Sequence, residues 1–175
     1  KADSEGRRAA QTTMYYILDA LVKILTPMTS YTVEEIWKEM KHTKNEEVES
    51  PMLTNYPEFN KEWDNDEIIE KWKKILEIKS LVSKELELAR NEKLIGNSLD
   101  AKVILNANEK FDFIDKNKEI FKDVLIVSQL EVNKVDGDFS INVLHADGEK
   151  CERCWKYDVD LKDGLCPHCR EVLGK

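Results

Sequence analysis

The first 150 residues of this 175-residue chain contain no cysteine, and all four of its cysteines lie between positions 151 and 169. A disulfide framework normally staples distant segments of a secreted chain, so a cluster this local points to a local device instead. Also missing is any apolar run near the roughly 20 residues that a membrane helix needs. The opening KADSEGRR lacks the apolar stretch of a secretory signal. The expectation from these absences is a cytoplasmic protein with no membrane partner. Positive charge is scarce as well. The 27 Lys and Arg residues face 35 Asp and Glu, for a net charge of -8. Neutralising phosphates takes surplus cations, which excludes nucleic-acid binding through bulk electrostatics. Any such contact has to be local.

What is present suits an ordinary globular protein. Hydrophobic residues make up 41% and charged residues 35% of the chain, enough for one or two cores. From Arg7 to Leu25 the residues Met14, Ile17, Leu18, Leu21, Val22 and Leu25 recur at three- and four-residue steps, one face of a helix that Pro27 stops. Thr32 with Glu35 reads as a capping box opening a short helix that carries Ile36 and Trp37. Residues 41–63 hold two prolines and no sustained period, and read as a connection. Asp64 with Glu67 suggests another helix start. The stripe Ile68, Ile69, Trp72, Ile75, Leu76, Val82, Leu86 and Ala89 then predicts a helix to about Lys93, closed by a left-handed Gly96.

The period changes beyond that point. Residues 101–105 and 125–132 read as strands with a helical stretch between them, and Asp136-Gly137 turns the chain into a third strand at 139–144. No internal repeat of useful length is present. The expected fold is mainly α, with a helical bundle over 1–96, a small mixed α/β subdomain over 97–146 and a zinc-binding ribbon over 147–175.

The cysteines occur as CERCWKYDVDLKDGLCPHC, two C-x-x-C knuckles eleven residues apart. Each knuckle converges two sulfurs on one ion, and the loop brings the pairs together as a tetrahedron. The expected ligands are Cys151, Cys154, Cys166 and Cys169. Thiolates suit Zn2+, whose filled d shell imposes no competing geometry. Four sulfurs close the shell and leave no position for water, so the expected ion is one structural zinc. His168, inside the second knuckle, is expected to be exposed. Trp155 follows the first knuckle directly and admits two readings: a miniature core for the ribbon, or an exposed platform for unpaired RNA bases. The nearby Lys150, Arg153, Lys156 and Arg170 admit two readings as well, either balancing the two net negative charges of a zinc tetrathiolate or touching RNA.

Taken together, the residues resemble a known family. RRAAQTTMYYILDALVKILTPMTSYTVEEIW is similar to the anticodon-binding helical domain of the class I synthetases for isoleucine, valine and leucine. LIGNSLDAKVIL resembles the segment after that domain's long helix, and DGEKCERCWKYDVDLKDGLCPHCREVL resembles the zinc-binding tail of bacterial isoleucyl-tRNA synthetases. The resemblance implies a helical domain that holds the anticodon stem and loop of a tRNA, inside a monomeric ligase that joins isoleucine to tRNA with ATP. It implies zinc at the four cysteines, and tRNA contacts from Arg153, Trp155 and Lys156 on the ribbon and from Arg7 and Arg8 on the first helix. The family's ATP-binding signatures have no counterpart among His42, His145 and His168, so no catalytic residue is expected here. The chain then reads as a C-terminal piece of the ligase, lacking its catalytic and editing domains, in keeping with a start inside a helix and without methionine. Two other readings stay open: the DNA-gripping ribbon of a repair glycosylase, which would require an excess of Lys and Arg, and a zinc adaptor for protein partners.

Overall fold

The computed structural model describes residues 4–42 and 48–174. Contacts divide the chain into two units, Lys1–Asp64 and Asn65–Lys175.

In the first unit, α1 spans Glu5–Leu25 and is capped by the Ser4 hydroxyl, which accepts from the Arg7 amide at 3.4 Å. Its C-terminal end turns where Thr26 donates its hydroxyl to the Val22 carbonyl at 2.7 Å, just before Pro27. Helix α2 spans Ser30–Glu39, with Thr29 at its N-cap. The expected capping box at Thr32 is therefore replaced, because the chain winds up three residues sooner: the amides of Met28 and Thr29 both reach back to the Leu25 carbonyl. Val22, Val33 and Trp37 form the buried core of this unit, and the Trp37 indole N–H is satisfied by the Val48 carbonyl at 2.9 Å. Of the connection expected over 41–63, residues 43–47 lie outside the described residues, and the remainder forms single turns at Pro51–Leu53 and Lys61–Trp63. Trp63 packs edge-on against Tyr16 at 4.9 Å between ring centres.

The second unit begins with α3, Asp66–Asn91, whose N-cap is Asn65 and not the expected Asp64; its side chain accepts from the Ile68 amide at 3.0 Å. The 26 residues rise roughly 40 Å. The left-handed residue after this helix is Lys93, with φ 61°, and not Gly96. Gly96 serves a different purpose. A Cβ there would meet the Asp100 carboxylate at 3.0 Å. The small residue lets that carboxylate accept the amides of Gly96 and Asn97 at 3.0 and 2.9 Å, closing a capping box that leads into the first strand.

That strand, β1 (Ala101–Ala107), is the centre of a three-stranded sheet, between β2 (Gln129–Lys134) and β3 (Ser140–His145). It pairs parallel with β2, Val103 opposite Leu130, and antiparallel with β3, Val103 opposite Val143. The parallel pair requires a crossover, supplied by α4 (Phe111–Lys116) and α5 (Lys118–Leu125). Strand alternation buries Ala101, Val103, Leu105 and Ala107 on one face. Ile75, Ile78, Val82, Leu86 and Ala89 of α3 join Ile114, Phe121 and Leu125 in the core over that face. The helix that sequence periodicity groups with α1 and α2 thus supplies one wall of the α/β core. The expected second strand also starts later than its apolar run, because Leu125 still belongs to α5 and Ile126 caps it in left-handed backbone.

The ribbon completes the unit with β4 (Glu149–Lys150), β5 (Tyr157–Asp158) and α6 (Pro167–Leu173). Gly148, at φ 90°, sits so close to β5 that a Cβ would lie 2.2 Å from the Asp158 carbonyl oxygen, so only glycine fits this entry. Helices predominate in the chain as a whole, as expected. Phe121 is fully buried at the middle of the α/β core. Phe121→Ala is expected to lower the unfolding free energy by about 3–5 kcal/mol, measured by urea denaturation.

Candidate metal centre and nucleic-acid interface

Cys151 and Cys154 flank a tight turn. The Cys151 amide donates to the Lys156 carbonyl and the Trp155 amide to the Cys151 carbonyl, both at 2.9 Å. Cys166 lies just before α6, where Pro167 occupies the first helical position, and Cys169 lies on the buried side of that short helix. All four sulfurs fall within 4.8 Å of one another, three of these residues are buried, and Cys154 is half-buried. The Cys154 and Cys166 sulfurs are 3.7 Å apart. A tetrahedron with zinc–sulfur bonds near 2.3 Å has edges of about 3.8 Å, so the donor set fits zinc in number, chemistry and spacing.

The thiols cannot all ionise without a cation. Burial opposes ionisation of Cys151, but the backbone around Cys154, Cys166 and Arg153 overcomes it and brings that thiol down to about 6. Burial pushes Cys154 up to about 12, with the surrounding sulfurs adding to the effect, and burial raises Cys166 too. One thiolate is easily held, while its neighbours resist a second negative charge. A divalent ion removes that conflict and closes the ribbon, whose own apolar core consists of little more than Leu165 and Leu161 beside the cysteines.

The surrounding cations divide their work. Arg153 Nη1 donates to the Cys169 sulfur at 3.6 Å, the one described contact from a basic side chain to a ligand. Arg170 ties down the loop instead, donating to the carbonyls of Asp160 and Leu165 and to the Asp160 carboxylate, each at 3.0 Å. Lys156 reaches Asp123 on α5 at 3.6 Å. Lys150 lies over the Trp155 ring, 5.6 Å from its centre. His168 is exposed and outside the sulfur cluster.

Trp155 is 61% exposed, so it is no core for the ribbon. Its backbone is left-handed, φ 65°, a conformation that costs an L residue roughly 1–2 kcal/mol. The two hydrogen bonds of the first knuckle impose this strain, and they present the indole outward. Arg7 and Arg8 are also exposed, on the first turn of α1, in the other unit. One connection escaped the sequence reading. Buried Ser128 donates to the Leu99 carbonyl at 2.5 Å and accepts from the Tyr157 amide at 2.7 Å, joining the start of β1 to β5 of the ribbon. A single serine beside a strand carries no pattern that announces this.

Comparison with known proteins agrees with the architecture. Residues 1–105 match the family described as the anticodon-binding domain of tRNA ligase. Residues 148–172 match the zinc finger found in FPG and IleRS. The chain belongs to the anticodon-binding domain family of tRNA ligases, and it carries a structural zinc site at its four cysteines. It is similar to the isoleucine–tRNA ligase of Caldicellulosiruptor saccharolyticus, 50% identical over 99% of this chain and 20% of that protein. The isoleucine–tRNA ligases of Caldanaerobacter subterraneus and Staphylococcus carnosus are 46% and 42% identical over 96% and 99% of the chain, again 20% of each relative. The chain therefore spans about a fifth of the length of the curated relatives it matches. The glycosylase reading is not favoured, because the zinc-finger match accompanies an anticodon-binding domain in the same chain.

Purified chain is expected to hold one zinc per molecule by atomic emission, and Cys166→Ala is expected to lose it while circular dichroism retains the signal of α3. Acid should release the ion as well. Protons compete with zinc for the four thiolates, so a chromophoric chelator should detect zinc release as pH is lowered.

Proposed function

We propose that this chain is the tRNA-binding region of an isoleucine–tRNA ligase, a cytoplasmic and monomeric enzyme that binds ATP and attaches isoleucine to tRNA elsewhere in its length. The region holds the anticodon stem and loop and carries out no chemistry itself. In this reading residues 1–96 act as the helical anticodon-binding part and 97–146 as the support for the ribbon at 147–175. The observation that carries the proposal is the exposed indole of Trp155, held outward in strained backbone on a metal-closed turn. A stable fold gains nothing from that placement, whereas an unpaired base gains a stacking surface.

Arg153 supports the same role from the metal side, since its contact with the Cys169 sulfur fixes it beside Trp155. Lys156, bound to Asp123, holds the turn against α5 and lies within reach of the same RNA strand as its neighbour. Arg7 and Arg8 supply backbone phosphate contacts from α1. With a net charge of -8, the chain depends on such local contacts rather than on a basic surface.

Gel-shift titration with an isoleucine tRNA transcript is expected to give tighter binding than with an anticodon-substituted control, and equal affinity for both would refute the anticodon role. Trp155→Ala is expected to weaken binding about tenfold, in line with roughly 1–3 kcal/mol per stacked base, while zinc stays at one per chain. The same substitution with loss of zinc would assign the indole to folding instead.

A further inference from the structure

The four cysteines of the metal centre are not equally protected. Cys151 and Cys169 are wholly buried, Cys166 nearly so, and Cys154 is half-buried. Thiolate reactivity follows exposure, so burial keeps a structural sulfur inert, and one of the four lacks that protection. The two wholly buried sulfurs are also engaged: Cys151 accepts the Cys166 amide at 3.4 Å, and Cys169 accepts Arg153 Nη1 at 3.6 Å. Between α5 and the ribbon, within the second unit, lies a cavity of about 460 Å³. Its lining includes Cys154 and Cys166 but neither Cys151 nor Cys169. The sulfurs of that pair are 3.7 Å apart. The cavity therefore opens on one ligand from each knuckle, and on two sulfurs already in contact.

The lining selects what can reach them. Lys122 and Lys156 share it with Glu119, Asp123 and Asp158, and Lys156 is paired to Asp123 at 3.6 Å. Charges of both signs leave no net attraction for an anion, whereas a small uncharged molecule enters from solvent freely. We propose that Cys154 and Cys166 form a modification site for hydrogen peroxide, at which one disulfide between the knuckles opens the zinc centre. This goes beyond the tRNA-binding reading and does not depend on it. The Cys154 thiolate attacks the O–O bond, giving a sulfenic acid and one hydroxide; the Cys166 thiolate then attacks the Cys154 sulfur and displaces a second hydroxide. Two thiolates lose two electrons, the peroxide bond takes them up, and solvent protonates both hydroxides to water. The choice of pair matters as much as the chemistry. A disulfide inside one knuckle leaves the other C-x-x-C chelate whole, but a bond from Cys154 to Cys166 removes one ligand from each. Only Cys151 and Cys169 then remain of the four sulfurs that close the shell. The ribbon has little apolar interior to hold it together after that.

In the test, the zinc-loaded chain is treated with hydrogen peroxide while a chromophoric chelator follows zinc release. One zinc per chain should be released, and dithiothreitol with added zinc should restore both the thiols and the metal. Trypsin cuts after Arg153 and parts Cys151 from Cys154, and fragmentation at Pro167 parts Cys166 from Cys169. Mass spectrometry of the unreduced digest should find the Cys154 peptide joined to Cys166. Access is tested by Glu119→Trp and His168→Trp, two exposed lining positions where a bulky side chain narrows the cavity. Each is expected to slow peroxide-driven release severalfold, with zinc content and melting temperature unchanged. A disulfide inside either knuckle, sulfinic acid without any disulfide, or full retention of zinc under peroxide would overturn the proposal. So would an unchanged release rate in both variants when they hold zinc normally.

Discussion

Four thiolates held within 4.8 Å of one another repel unless a cation lies among them, and the ribbon of this chain depends on that constraint. The ribbon from Gly148 to Gly174 has almost no apolar interior of its own. Its turns are set by where each thiolate must point: Cys151 and Cys154 across a knuckle, Cys166 ahead of α6, Cys169 one turn into it. The left-handed backbone at Trp155 belongs to the same closure, because it lies within the turn that the two hydrogen bonds of the first knuckle tighten. Metal binding, turn geometry and display of the indole are therefore one event in energetic terms.

The ribbon is also fixed to the body of its unit, and by few groups. Ser128 spends its one proton on Leu99 and a lone pair on Tyr157. The Tyr157 ring meets His145 edge-on at 5.0 Å between centres, and Lys156 meets Asp123. These contacts come from the end of β3, the segment ahead of β2 and the helix α5, so the rigid α/β core determines where the ribbon's surface faces. That core is the part of the chain best supplied with buried apolar residues, and α3 provides a third of them.

What the sequence made legible follows from the range of the physics involved. Ligand spacing is local chemistry, so CERC and CPHC announced the site in full. Helical periodicity announced α1 and α3 for the same reason. An amphipathic stripe does not say what covers it, however, and α3 was grouped with α1 and α2 although Ile75, Val82 and Leu86 face the sheet. The run Leu125-Ile126-Val127 reads as buried strand, yet it is a helix end, an exposed left-handed residue and a buried anchor in succession. Gly96 carried a true signal with the wrong cause: the position demands a small residue because Asp100 approaches it, not because φ is positive there. The exposure of Trp155 is a tertiary fact, and an aromatic beside a cysteine knuckle fits core and platform equally well until the fold decides.

The charge pattern then limits how this surface would hold RNA in the proposed role. Four basic residues surround the zinc site in sequence, but the fold commits three of them. Arg153 is bound to the Cys169 sulfur, Arg170 to Asp160 and Lys156 to Asp123. Lys150 alone of the four has neither a carboxylate nor a sulfur partner among the described residues, and it lies over an aromatic ring. A ribbon whose cations are occupied internally, on a chain with net charge -8, gains little from counterion release. On the proposed reading, its affinity for RNA has to come from apolar and stacking contact, which falls off within a few ångströms and demands accurate placement. That requirement explains why so much of the local structure, from the thiolate tetrahedron to the Ser128 tie, serves to fix the position of a single exposed indole.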